Sequence, residues 1–187
     1  MSAATVLSVC WGLFVLVWVV WAFRRKPEKA RLPRSGRVAY ALVLSVAFCL
    51  LSGRLGLGGL RWRVLPGGLV TTAAGETLLI AGLTVAVWAR LCLGANWSGS
   101  VTLREGHELI DRGPYRYVRH PIYSGLLAMM VGTALILGHV GGFLGLGLGL
   151  LGFWQKLRQE ERWLCGHFPA VYPAYMSRTK ALVPGLL

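Results

Sequence analysis

The sequence predicts an all-α integral membrane protein. It should have about five transmembrane helices, a helical hairpin formed by spans four and five, and a cytoplasmic C-terminal helical tail. Three observations predict this. Apolar residues make up 55% of the 187 residues and charged residues only 14%, against roughly a quarter charged in soluble domains. The apolar residues fall in long uncharged runs, several of them of bilayer-crossing length. The 20 lysines and arginines gather at the ends of those runs, where they act as topology signals. The length fits one domain, 1–187, with two spans and their loops in 1–68 and the remaining spans in 69–187.

The first span is expected over residues 4–23, with Trp11, Trp18 and Trp21, the last at a boundary where indoles favour the interface. No Lys or Arg precedes it, so it lacks the basic start of a secretory signal and reads as a retained helix. The second span, 38–51, is short and has room to start earlier. The third covers 69–89, the fourth 122–137 and the fifth 140–153. Spans four and five are joined by Gly138-His139-Val140-Gly141-Gly142, with His139 solvated at the turn. Gly141, Gly145 and Gly149 recur on one face of span five, and Gly125, Ala128 and Gly132 on one face of span four. Small faces of this kind let helix backbones approach closely in lipid. Glu76 is the one acid inside a span. An intramembrane carboxylate raises a functional hypothesis, but about two turns from the helix end it can also snorkel or pair with Arg54, Arg61 or Arg63.

The cations orient the chain. Seventeen fall in the first loop, between spans three and four, and in the tail; only Arg54, Arg61 and Arg63 lie in the second loop. The positive-inside rule then puts the N-terminus outside and the tail in the cytoplasm. The formal charge of +13 does not point to nucleic acid, because it sits at span ends and not on an amphipathic surface. It adds attraction to anionic headgroups. Cys10, Cys49, Cys92 and Cys165 are far apart without metal-ligand spacing, so buried thiols are expected and no metal site.

Two segments share the cytoplasmic side. The first, Gly113-Pro114-Tyr115-Arg116-Tyr117-Val118-Arg119-His120-Pro121-Ile122-Tyr123-Ser124-Gly125, is polar, cationic and aromatic at the start of an apolar run. Pro114 and Pro121 stiffen it and push the residues before them out of helical geometry. The second is the tail, Lys156-Leu157-Arg158-Gln159-Glu160-Glu161-Arg162-Trp163, followed by Phe168, Tyr172, Tyr175, Arg178 and Pro184. Adjacent glutamates on a helix point about 100° apart, so only one is expected to face a given pocket easily. Read alone, the acidic pair is a solvated turn balanced by Arg158 or Arg162.

Together with Leu93-Gly94-Ala95-Asn96-Trp97-Ser98-Gly99 and Glu105-Gly106-His107-Glu108-Leu109, these segments resemble the isoprenylcysteine carboxyl methyltransferase family. The wider group includes membrane phospholipid methyltransferases. The resemblance covers about residues 85–187, so 69–187 would be the methyltransferase core. It implies S-adenosylmethionine as methyl donor, bound from the cytosol between the Arg-His-Pro segment and the tail. The implied donor-binding residues are Tyr115, Arg119, His120, Pro121, Tyr123, Glu160, Glu161 and Asn96; the implied catalytic residues are Arg178 and Glu161. Either glutamate offers acceptors to the donor's ribose or ammonium. His120 and amides near Tyr115 offer donors to its carboxylate. Tyr115, Tyr117, Tyr123 or Trp163 would supply cation–π attraction. The Arg178 fork suits an acceptor carboxylate or phosphate, or else anchors at the interface.

The implied acceptor is lipophilic, a small molecule or a prenylated substrate reached from the membrane lipids, and most readily a carboxylate. A carboxylate is ionised at neutral pH and needs no general base, whereas an amine does. The alternatives are a phospholipid amino-headgroup methyltransferase, a nicotinamide-dependent membrane reductase and a non-catalytic scaffold. Oligomeric state stays open. Two departures from the family pattern bear on Arg178: Pro169 and Pro173 interrupt the tail helix, and Thr179-Lys180 follows the arginine where an apolar residue and proline are more usual.

Overall fold

The computed structural model describes residues 2–22, 34–55, 58–94 and 110–185. Asn96, Trp97, the 105–109 block and most of the first-loop cations lie outside them. The described residues form six α-helices: α1 (Ala3–Ala22), α2 (Arg34–Leu51), α3 (Leu69–Leu93), α4 (Pro121–Leu137), α5 (Val140–His167) and α6 (Val171–Arg178). Two 3₁₀ turns, Gly58–Arg61 and Gly113–Arg116, complete the described elements. α1, α3 and α5 are long and apolar enough to cross a membrane; the apolar stretches Val38–Leu51 and Pro121–Leu137 are shorter. The protein is therefore a multi-pass integral membrane protein, and the outward faces of α1 and α2 expose Leu13, Val15, Leu16, Leu42 and Val46, as a lipid-facing surface does.

Each expected span coincides with a helix; α2 starts four residues earlier, at Arg34, and α3 and α5 run on beyond their spans. α3 runs on to Leu93, where Gly94 ends it in a positive-φ conformation (φ 51°) that costs glycine little. α5 continues fourteen residues past the apolar run to His167. The physical reason is that residues 154–167 contain no proline and one glycine, and are rich in Lys, Leu, Arg, Gln and Glu, which are good helix formers. Pro169 falls in the break after α5. Pro173 is tolerated because it lies in the first turn of α6, where backbone donors have no helical partner.

α3 and α4 make the most extensive contact in the molecule. A Cβ on Gly82 would lie 2.5 Å from the carbonyl oxygen of Gly125, and one on Gly125 the same distance from the carbonyl of Gly82. Gly75 and Gly132 repeat the arrangement one step along, at 2.8 Å and, in return, too close for any side-chain atom. The small face of α4 thus receives α3. The glycines of α5 serve a second seam: Gly145 faces the Ala47 carbonyl and Leu51 amide of α2, while Gly149 faces Met130 of α4. α1 closes over α3 and α4 through Cys10, Leu79 and Met129, and Trp11 Nε1 donates to Thr133 Oγ1 at 3.1 Å.

Gly138 (φ 64°) ends α4, and the His139 imidazole caps α5 by accepting from the Gly142 amide at 2.8 Å. This corrects the expectation of a merely solvated His139: helix starts leave amides to be satisfied, and Nδ1 meets one. Arg61 and Arg63 donate to the carbonyls of Gly53, Leu65 and Ile136. Among the described residues, neither forms an ion pair with Glu76.

Candidate active site

At the N-terminal end of α4 the chain turns from the Gly113–Arg116 3₁₀ turn through an extended stretch into Pro121, the first helical residue. Proline belongs there, since its fixed φ suits a helix start and no donor is lost. The tail runs beside this stretch. Val118 and Lys180 form a parallel bridge, Arg119 N donates to Lys180 O at 2.8 Å, and His120 N donates to Ala181 O at 3.0 Å. Ser124 Oγ extends the seam by donating to Leu182 O at 2.6 Å. Backbone pairing therefore presents the Arg119 and His120 side chains to the polar extension of α5.

Five expected site residues meet there. Arg119 Nε donates to Glu161 Oε1 at 2.7 Å, and His120 Nε2 lies 3.3 Å from the same oxygen. His120 Nδ1 is 3.7 Å from Glu160 Oε2. Tyr123 OH donates to Glu160 Oε1 at 2.8 Å. Both glutamates thus reach His120, through its two ring nitrogens. The expectation of a single facing glutamate gives way because the imidazole is wide enough to span the angle between adjacent positions. Tyr123 lies between rings, stacked on His120 at 5.6 Å and on Phe153 at 5.3 Å. Glu161 sits beyond the apolar run of α5. Burial would raise its carboxyl, but hydrogen bonds from His120 and Arg119, with their charges, win and hold it below the usual carboxylate range.

Arg119 does more than balance Glu161. Its Nη1 donates to the carbonyls of Thr179 and Met176, so one guanidinium ties the start of α4, the extension of α5 and the end of α6. Tyr115 is buried, and its carbonyl accepts from Tyr175 OH at 2.5 Å. Burial pushes the Tyr175 phenol up to about 12, so it stays protonated and donates. Tyr117 is exposed and Trp163 packs on His167 at 4.1 Å; neither lies in the cluster. His120 is also a poor seat for a ligand carboxylate, since two carboxylates flank it already.

Arg178 stands apart from the cluster. Its Nη2 donates to Asp111 Oδ2 at 2.6 Å and its guanidinium lies 5.7 Å from the Tyr175 ring centre. Asp111, Arg116, Tyr175, Arg178 and Thr179 line a cleft of about 350 Å³. Sequence reasoning passed over three participants. Asp111 carried no motif. Lys156 counted only as a topology cation, yet its Nζ lies 4.0 Å from Glu160 Oε1 and 4.6 Å from the Tyr40 ring. Tyr40 comes from α2, and the i, i+4 spacing of Lys156 and Glu160 was the one signal available for this group.

A multi-pass helical protein with a buried, charged and tyrosine-rich cluster where its helices end is built like an enzyme working at a membrane border. Residues 75–166, just under half of the chain, match the model of the isoprenylcysteine carboxyl methyltransferase (ICMT) family. It is 29% identical over 113 residues to protein-S-isoprenylcysteine O-methyltransferase B of Arabidopsis thaliana, covering 59% of this chain and 57% of that protein. It is 30% identical over 115 residues to protein-S-isoprenylcysteine O-methyltransferase of Dictyostelium discoideum, covering 60% and 48%. The chain thus spans about half the length of these relatives. A solved structure of the eukaryotic intramembrane Ras methyltransferase ICMT superposes with a TM-score of 0.58 at 19% identity, over 97% of this chain and 68% of that one; it establishes the fold. The family match includes Arg119, His120, Tyr123, Glu160 and Glu161 and ends before Arg178.

Proposed function

We propose that the protein transfers a methyl group from S-adenosylmethionine to the carboxylate of a lipophilic, isoprenylcysteine-like acceptor. One observation carries this reading: within the matched domain, Glu160 and Glu161 converge on His120 beside Arg119 and Tyr123. The residues fit such a donor. Among the described residues, the polar approach to Glu160 Oε2 is that of His120 Nδ1 at 3.7 Å, which is beyond hydrogen-bond length. Glu160 keeps capacity to accept from a ribose hydroxyl or an ammonium, and its side chain is 21% exposed.

The donor supplies an electrophilic methyl carbon on a sulfonium. This chain's residues bind, orient and exclude water. Glu160 accepts from the donor, and His120 with Tyr123 holds that carboxylate in place. Pro121 fixes the turn, while Tyr115 and Asn96 complete the expected donor contacts. Glu161 keeps Arg119 on the Met176 and Thr179 carbonyls and so acts by positioning. Arg178 orients the acceptor carboxylate. When bound, the donor would supply the methyl group, and because the acceptor carboxylate is already ionised none of these residues need act as a base.

In this reading five helices, α1 to α5, cross the bilayer, with α4 and α5 as the hairpin. The N-terminus lies outside and the donor site faces the cytoplasm, in keeping with the cation asymmetry. The decisive experiment incubates the protein with methyl-labelled S-adenosylmethionine and a lipid extract. Base-labile label in a lipid product supports a carboxyl acceptor. Base-stable label shifts the reading to an amine headgroup. Stabilisation by nicotinamide cofactors, with none by S-adenosylmethionine or its demethylated product, overturns it.

A further inference from the structure

The Arg178 guanidinium already holds a carboxylate. Asp111 accepts from its Nη2 at 2.6 Å, in a cleft that Arg116 also lines. The cleft thus carries two guanidinium groups and one acid, with Arg178 the one bonded to it. The backbone at Arg178 is fixed, because Arg119 binds the Met176 and Thr179 carbonyls on either side and Tyr175 is pinned to Tyr115. The pair itself is loose: the Arg178 and Asp111 side chains are 61% and 52% exposed. Exposed ion pairs are worth little and exchange partners readily. When Asp111 moves off, the guanidinium still has the Tyr175 ring beside it.

We propose that Asp111 is an internal stand-in for the acceptor's carboxylate. It occupies Arg178 in the unliganded protein, and acceptor binding replaces one carboxylate by another on the same guanidinium. The inference rests on the proposed methyl transfer to a lipophilic carboxylate and deepens it. The exchange conserves the charge-assisted bond at Arg178, so the carboxylate gains little net attraction by entering. Methylation removes the acceptor's charge, after which Asp111 is the better partner and returns. The ester, having no charge, does not compete with Asp111 for Arg178. The arrangement also selects against amines, because an ammonium would face Arg116 and Arg178 together.

The test is calorimetric binding of an S-prenylcysteine and of its methyl ester to the wild type, Asp111→Asn and Asp111→Glu in micelles. Asp111→Asn should bind the acid about two- to fivefold more tightly, the scale of one exposed pair. Its affinity for the ester should not change, and Asp111→Glu should behave as wild type. Unchanged or weaker acid binding by Asp111→Asn, or equal tightening for acid and ester, overturns the proposal while leaving methyl transfer intact. A wild type that binds neither compound and methylates no carboxylate overturns the functional reading, and the stand-in with it.

Discussion

One helix, α4, takes part in two opposite kinds of construction. Along its length it meets α3 through backbone alone: Gly82 against Gly125 and Gly75 against Gly132 leave no room for a single added carbon. At its N-terminal end it meets α5 and the tail through side chains with charge: Arg119, His120 and Tyr123 against Glu160 and Glu161. The seam is held by close approach, the dominant option in lipid where burying apolar groups yields little. The cluster is held by ion pairs and hydrogen bonds that are costly to break once buried. The seam should therefore be intolerant of size and indifferent to polarity, and the cluster the reverse.

The severest break in that contrast is Gly125→Val. Two backbone atoms of α3, Gly82 O and Ala86 N, block the new side chain, so destabilisation should exceed the roughly 1–3 kcal/mol of ordinary overpacking. Thermal unfolding in detergent checks it, and a melting point near wild type would remove the seam from the account. Glu161→Ala comes next. It strands Arg119 and His120 and should cost about 3–5 kcal/mol, together with donor binding. An unchanged melting point would show that the Arg119 tie is dispensable.

His120→Ala and Glu160→Ala sharpen the functional side. Glu160→Ala should weaken S-adenosylmethionine binding by about 1.5–3 kcal/mol, one charge-assisted hydrogen bond, and His120→Ala, which acts on the donor through Glu160, by less, while the fold persists. Titration calorimetry on the folded variants decides, and unaltered affinity in both would take these residues out of the donor site. Arg178→Lys should hardly move the melting point, because its pair is exposed. It should lose turnover, since lysine keeps the charge without the planar fork. Normal turnover would favour an interfacial anchor. The mildest test is Gly147→Ala. Nothing lies within 4 Å of a Cβ there, so the change should be neutral or stabilising by up to about 1 kcal/mol. A large loss at Gly147 would mean that glycines in this protein matter for a reason other than space.

Much of this was legible beforehand, for different reasons. Apolar runs give helix positions directly, so each lies within one of α1 to α5, of which α1, α3 and α5 are long and apolar enough to cross a membrane. The ordered set from Gly113 to Gly125, with Glu160-Glu161, marks the cluster because its residue types are expensive at a membrane border. Partner choice was not legible. Gly145 lies on the α5 stripe beside the hairpin turn, yet packs against α2; spacing defines a face but not what covers it. Asp111 and Tyr40 escaped because a lone acid and a lone tyrosine have no pattern. The roles of both glutamates at one imidazole depend on the ring's width, which one-dimensional spacing does not encode.

The backbone pairing of 118–120 with 180–182 also has a meaning in time. A ribosome makes Arg119 well before its carbonyl partners at Met176 and Thr179. At common elongation rates the gap is roughly 3–12 s. During that interval α4 and then α5 are already synthesised, while the segment that finishes the pocket does not yet exist. The apolar helices are thus synthesised before residues 176–182, and the pairing that presents Arg119 and His120 to α5 can form only once those residues have followed.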